Sequence, residues 1–161
     1  MPRTGQDLER LQAFATAQGG VVSPADLGAC GFSAKAVRRR INEGTWHRVG
    51  GAIVLAPGHS GAARWNDVSL SWILRLTFGP QTRISGALAL RRARWHLPHE
   101  THVVVLKDKP NFGLSGVTVL RRPDTDADDP AVGLRFVTAR EALADATDAA
   151  NESSAFDAGT D

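Results

Sequence analysis

Cysteine is nearly absent: Cys30 is the single thiol among 161 residues. One cysteine excludes an internal disulfide and a thiolate metal cage, which suits a reducing compartment. Cys30 itself reads as a small core residue. Long hydrophobic runs are lacking as well. A run such as Val103 to Leu106 is a fraction of the roughly 20 residues that a membrane-spanning helix needs. No apolar signal core follows Met1-Pro2-Arg3, so the expected location is cytoplasmic. Also absent are a glycine-rich phosphate loop, a strand-to-helix serine elbow and any thiolate-activating arrangement around Cys30.

Two arrangements imitate metal sites and fail on spacing. His96, His99 and His102 recur every third residue, and His99-Glu100-Thr101-His102 is one residue short of the zinc motif that places two histidines on one helical face. Pro98 also argues against a continuous helix there. Asp124, Asp126 and Asp128 have the opening spacing of a calcium loop, but Asp129 and Arg135 stand where glycine and glutamate are required. The expectation is a chain that is no enzyme, with no cofactor and no metal.

What the sequence does contain is a charge split. The formal net charge is only +2, yet residues 1–95 hold 13 Lys and Arg against 5 Asp and Glu, a net +8. Residues 96–161 hold 6 against 12, a net −6. A segment with an excess of cations gains salt-dependent affinity for the phosphates of duplex DNA, and the acidic remainder is repelled by them. The N-terminal part is therefore the expected DNA-contacting part.

Helix punctuation divides that part. Thr4 and Asp7 open a first helix, Leu8, Leu11 and Ala15 give it an apolar stripe, and Gly19-Gly20 ends it. Ser23-Pro24-Ala25-Asp26 supplies a cap, a proline in the first turn and an acid at the third position of a short second helix that stops near Gly31. Ser33 caps a third helix from Ala34 to Glu43, closed by Gly44. Two short helices meeting at a glycine-containing turn are a helix-turn-helix signature.

At about 100° per residue, Ala34, Val37 and Ile41 share one face of the third helix, and Lys35, Arg38, Arg39 and Asn42 share the other. Arginine can hold guanine O6 and N7 with two hydrogen bonds, asparagine can do the same for adenine, and lysine suits phosphate or guanine. Arg40 points elsewhere and is expected on phosphate. By itself such a face is commonly just solvated, but here a hairpin follows it. Thr45 to Val49, Gly50-Gly51 and Ala52 to Leu55, ended by Pro57-Gly58, read as two strands with a two-residue turn. Helix, helix, basic helix and hairpin in that order make a winged helix, whose wing would bring His47 and Arg48 to an adjacent backbone or minor groove. The expected DNA-binding residues are thus Ser33, Lys35, Arg38, Arg39, Arg40, Asn42, His47 and Arg48. Winged helices often read repeated half-sites, so dimeric or paired binding is compatible with this reading.

The rest reads as a small mixed α/β unit, which makes the fold class α+β. Trp65, Val68, Trp72, Ile73 and Leu76 form a helical stripe, with the two tryptophans expected in the core or else on a docking surface. Ser85 caps a helix bearing Arg91, Arg92 and Arg94, which are either a solvated face or an extension of the DNA footprint. Val103 to Leu106 and Val117 to Leu120 are strands. The last helix, from Ala139, is expected to end near Asn151. Expected boundaries are 1–58 for the winged helix, 62–150 for the α+β unit and 151–161 for a disordered tail.

The wording of several segments adds to this. Gly19 to Leu27, Gly31-Phe32-Ser33 with the basic run after it, and Gly44 to Val49 followed by Gly51 resemble the helix-to-wing passage of the AbiEi-type antitoxins. These accompany nucleotidyltransferase toxins in bacterial toxin–antitoxin operons. Ile84 to Leu90 resembles the start of that family's next helix, and Leu134 to Thr138 with Glu141 to Asp145 resembles its closing strand and helix. The wing departs from the pattern: Ile53-Val54 stands where a tyrosine is common, and this chain has no tyrosine. The resemblance implies an antitoxin that represses its own operon by binding operator DNA in its promoter and that neutralises a cognate toxin by direct binding. The alternatives are a stand-alone winged-helix regulator and a truncated relative of the Vsr-like endonucleases, whose front end is similar.

Overall fold

Ser23 and Ser33 start two helices in the way their positions predict. In a computed structural model that describes residues 4–55, 66–98, 101–107, 114–122 and 133–157, the Ser23 hydroxyl accepts from the Asp26 amide at 3.0 Å, and the Ser23 amide donates back to the Asp26 carboxylate at 2.9 Å. This reciprocal box opens α2 (Pro24–Ala29), after α1 (Thr4–Ala17) and a two-residue strand β1 (Val21–Val22). The Ser33 hydroxyl accepts from the Ala36 amide at 3.2 Å and opens α3 (Ala34–Asn42). Strands β2 (His47–Val49) and β3 (Ala52–Val54) form the hairpin, with Val49 paired to Ala52 across Gly50-Gly51.

The sheet has the order β1-β3-β2, all antiparallel. β1 is an addition to the sequence reading: Val21 and Val22 pair with Val54 and Ile53 and are fully buried. Helix, strand, two helices and a hairpin on one small sheet constitute a winged helix-turn-helix. Its core gathers Leu11, Val22, Leu27, Cys30, Trp46 and Ile53, with Phe14, Phe32, Val37 and Ile41 packed against it. Cys30 is a core residue, as expected. Leu8 is not, being 51% exposed; Phe14 takes its place in the stripe of α1. Thr4 lies within α1, and its capping side chain is outside the described residues.

The chain divides into two compact units, Met1–Thr77 and Phe78–Asp161. Helix α4 (Asp67–Phe78) therefore falls almost entirely within the first unit, whereas a boundary between 58 and 62 would have it open the second. The reason is close backbone packing. The Ser69 hydroxyl donates to the Gly19 carbonyl at 2.6 Å, and the Gly51 amide donates to the Thr77 hydroxyl at 3.1 Å. A Cβ on Gly51 would run into the Leu76 carbonyl. In α4 the buried residues are Ser69, Ser71, Ile73, Leu74, Thr77 and Phe78. Val68 is exposed and Trp72 and Leu76 are half-buried, so the apolar stripe read from the sequence is displaced; Trp65 lies outside the described residues.

The second unit continues with β4 (Arg83–Ser85), α5 (Gly86–Arg92), β5 (Val103–Lys107), β6 (Val117–Arg121), β7 (Arg135–Phe136) and α6 (Ala139–Asp157). Its sheet has the order β6-β5-β4-β7; β5 runs parallel to β6 and antiparallel to β4, and β7 is parallel to β4. α5 and α6 pack on each other, and α6 packs on β4, β5 and β6. Val104, Leu106, Leu120 and Ala149 form one core group, and Ala89, Leu90 and Ala142 another.

Two expectations are corrected here. Ser85 precedes α5 but makes no side-chain cap; its buried hydroxyl instead donates to the buried Asp145 carboxylate on α6 at 2.6 Å. Burial of a carboxylate requires such partners, and Arg122, 3.9 Å away, is a second one. The last helix does not end near Asn151 but continues to Asp157, through a segment that contains neither proline nor glycine. Among the described residues, no helix is long and apolar enough to cross a membrane.

Candidate nucleic-acid interface

The sequence Ala34–Asn42 places cations on the outer side of α3 because its apolar positions are used inward. Val37 and Ile41 pack on the first unit's core. Lys35, Arg38, Arg39 and Asn42 are exposed, and together with Ser33, Ala36 and Glu43 they line an open surface depression. Ala34 is exposed too, so the inward face is narrower than the sequence reading has it. Arg39 Nε lies 3.7 Å from Glu43 Oε1, one turn on. In exposed settings this ion pair is weak, worth about 0.3–0.5 kcal/mol. Glu43 is a participant that the sequence reading treats only as the end of the helix.

Arg40 is not among the residues that line this depression. It is half-buried, and its guanidinium lies 4.9 Å from the Trp46 ring centroid and 5.7 Å from that of Phe32. The two rings are themselves in contact, 5.5 Å between centroids and inclined at 60°. The Arg40 carbonyl accepts from the Thr45 amide at 3.0 Å, the Trp46 amide at 3.2 Å and the Thr45 hydroxyl at 2.9 Å. Both ends of Arg40 therefore fasten the end of α3 to the start of the hairpin. Gly44, at φ +72°, makes the turn between them.

Of the two wing residues, Arg48 is exposed and His47 is half-buried. The His47 Nε2 atom is buried, with no hydrogen-bond partner among the described residues. Strand alternation accounts for the difference, since His47 and Val49 share one side of β2 and Arg48 points to the other. The turn Gly50-Gly51 rests on the last turn of α4 through the Thr77 bond, which fixes the hairpin's position at its tip.

The cationic side chains of α3 and Arg48 thus stand on a scaffold whose core, cap and hairpin are all internally bonded. Such a helix has the donors and the shape that a major groove accepts. Comparison with known families agrees. The family described as transcriptional regulator, AbiEi antitoxin, has a model that matches residues 9–50. Residues 9–50 are similar to that family. The match takes in α1 from Glu9, β1, α2, α3 and β2, and so every candidate DNA-binding residue. The similarity is thus to a family described as transcriptional regulators and antitoxins, and it covers the helix-turn-helix and the first strand of the hairpin. No curated protein matches the chain.

The metal-like arrangements lie only in part within the described residues. His96 is exposed, His99 lies outside the described residues, and His102 has its Nδ1 3.3 Å from the Thr118 hydroxyl. Asp124, Asp126, Asp128 and Asp129 also lie outside the described residues. Among the described residues, no group of three His, Cys, Asp or Glu side chains is placed to hold a metal ion.

Proposed function

We propose that the protein is an autorepressing antitoxin: α3 enters the major groove of an operator in its own promoter, and the second unit binds and neutralises a nucleotidyltransferase-type toxin. The observation that carries the DNA half is the coincidence of an exposed Lys35, Arg38, Arg39 and Asn42 face with a regulator-family match over the same residues. In this reading Arg38, Arg39 and Asn42 address base edges, Lys35 and Arg48 address phosphate, and Arg40 acts indirectly by holding α3 against Trp46. Ser33 serves through its cap. Half-site reading by two copies fits the usual habit of winged helices. A cytoplasmic location follows from both partners.

The toxin half is supported by the family description, which is that of an antitoxin. Co-expression with the product of the adjacent gene, followed by pull-down and a growth assay, is the test. Co-purification with relief of toxicity is the expected outcome, and a toxic neighbour that neither binds nor is relieved would remove this half. A second reading, a stand-alone regulator, is favoured by the fact that the match ends at residue 50 and leaves Phe78–Asp161 uncovered. It predicts operator binding with no toxin in the neighbouring gene.

A further inference from the structure

Trp95 is 46% exposed in the second unit, in a protein whose other described tryptophans, Trp46 and Trp72, are buried and half-buried. Its position is not that of a loose chain end. Leu90 before it and Leu97 after it both belong to the core group built on Ala89 and Ala142. Between these anchors the backbone is held by hydrogen bonds from the Arg94 amide to the Arg91 carbonyl at 2.9 Å and from the Trp95 amide to the Leu90 carbonyl at 3.1 Å. Arg94 sits at φ +64°, the single non-glycine residue with positive φ among the described residues. With these two bonds Arg94 takes the left-handed position of a helix C-cap, where glycine is usual and a side chain adds strain. The result is an indole presented outward at a fixed place.

Its surroundings are cationic. Arg91, Arg92, Arg94 and His96 are all exposed, and from Val68 to His99 the sequence holds five arginines and no Asp or Glu. Arg92 is braced by the Phe136 ring, 4.5 Å from its guanidinium. The helix α6 that packs on α5 carries acids with partners of their own. Glu141 accepts from the Thr138 amide and hydroxyl, and Asp145 is buried on Ser85.

From this we infer that Trp95 with Arg91, Arg92 and Arg94 forms a binding site for single-stranded nucleic acid, distinct from the duplex-reading face of α3. A flat aromatic face accepts an unpaired base of any sequence, and flanking guanidinium groups take the phosphates on either side. A paired base is stacked inside its helix and cannot offer its face to Trp95, so the indole discriminates between single and double strands. An acidic protein fits less well, because a specific protein interface requires a larger apolar centre. Here Leu143, 46% exposed on α6, is the one other large exposed hydrophobic residue described in the unit.

The test uses the full chain carrying Arg38→Ala and Arg39→Ala, so that α3 contributes little to binding. Fluorescence anisotropy with a short labelled oligothymidylate and with a duplex of the same length reads the two affinities. Trp95→Ala is expected to weaken oligothymidylate binding by about 5- to 150-fold, the loss typical of one stacked base, and to leave duplex binding nearly unchanged. Trp95→Phe should retain most of the single-strand affinity. Arg94→Gly, which relieves the backbone, should raise the melting temperature while weakening oligothymidylate binding, and it serves if Trp95→Ala proves poorly folded. An unchanged oligothymidylate affinity in Trp95→Ala, or an equal loss for duplex and single strand, would overturn the site. Because α3 is disabled throughout, neither result depends on whether the wild-type protein reads an operator.

Discussion

The guanidinium of Arg40 lies over the indole of Trp46, 4.9 Å from its centroid, and so joins the last turn of α3 to the residue that leads into β2. In sequence the two residues are six apart, and neither helical nor strand periodicity connects them. In the fold they decide how the cationic face of α3 is held relative to Arg48.

Arg40→Ala should lower stability by about 0.5–2 kcal/mol, the range of a cation–π contact. Trp46→Ala empties part of the core and should cost about 3–5 kcal/mol. Urea denaturation followed by circular dichroism measures both. On DNA, Arg40→Ala should weaken cognate and random duplexes by a similar factor, since it acts through position and not through a base.

Arg38→Ala or Arg39→Ala should cost about 1–3 kcal/mol on the operator and less on random duplex. Glu43→Gln removes an anion from the same face and releases Arg39. It should therefore raise affinity for random duplex and narrow the preference for the operator. Competition binding at fixed salt gives the ratio directly; a ratio that none of these three changes alters would mean that α3 does not read bases.

Gly51→Ala should be more damaging than its small added volume suggests. The new methyl meets the Leu76 carbonyl, which is backbone within α4 and cannot move aside. Overpacking of this kind costs about 1–3 kcal/mol. Thr77→Val removes the acceptor of the Gly51 amide and should cost about 1–3 kcal/mol if that amide is left unsatisfied. Thermal unfolding of each variant gives these differences.

How much of this was open to sequence reading depends on whether the cause is local. The caps at Ser23 and Ser33, the glycine stops and the Gly50-Gly51 turn are decided by neighbours within four residues, and the winged helix follows from them. β1 is only Val21–Val22, too short to show alternation, and exists because Val54 and Ile53 lie beside it. Glycines 19, 50 and 51 signal turns in sequence; that they also admit α4 to the first unit depends on contacts at separations of 26 and 50 residues. Strand alternation separates His47 from Arg48, a signal that the sequence reading passes over when it sets both on DNA. The roles of Arg40 and Glu43 were not legible, because their partners act through tertiary packing and helix-end geometry.

Thr138 and Glu141 form a second reciprocal cap, at the start of α6. The Glu141 carboxylate accepts from the Thr138 amide at 2.9 Å and from its hydroxyl at 2.7 Å. These bonds, the hydroxyl first and the amide next, with attraction from Arg83, hold its pKa below the ordinary carboxylate value. A carboxyl whose pKa falls on folding contributes stability that is fully present above its unfolded pKa and is lost as pH falls through the folded one. Stability should therefore decline on acidification below the ordinary glutamate range, and Glu141→Gln should flatten that decline. Denaturation midpoints of both proteins across that acidic window check it, and equal slopes would contradict it.

In the proposed function the exposed face of α3 binds duplex DNA from the protein's own upstream region. A gel shift of the protein on that region at two salt concentrations, with and without excess random duplex, tests it most directly. A retarded band should survive random competitor, weaken as salt rises and be lost when Arg38 and Arg39 are both alanine. A band equally displaced by random duplex, or one unaffected by the double substitution, would contradict the proposed function.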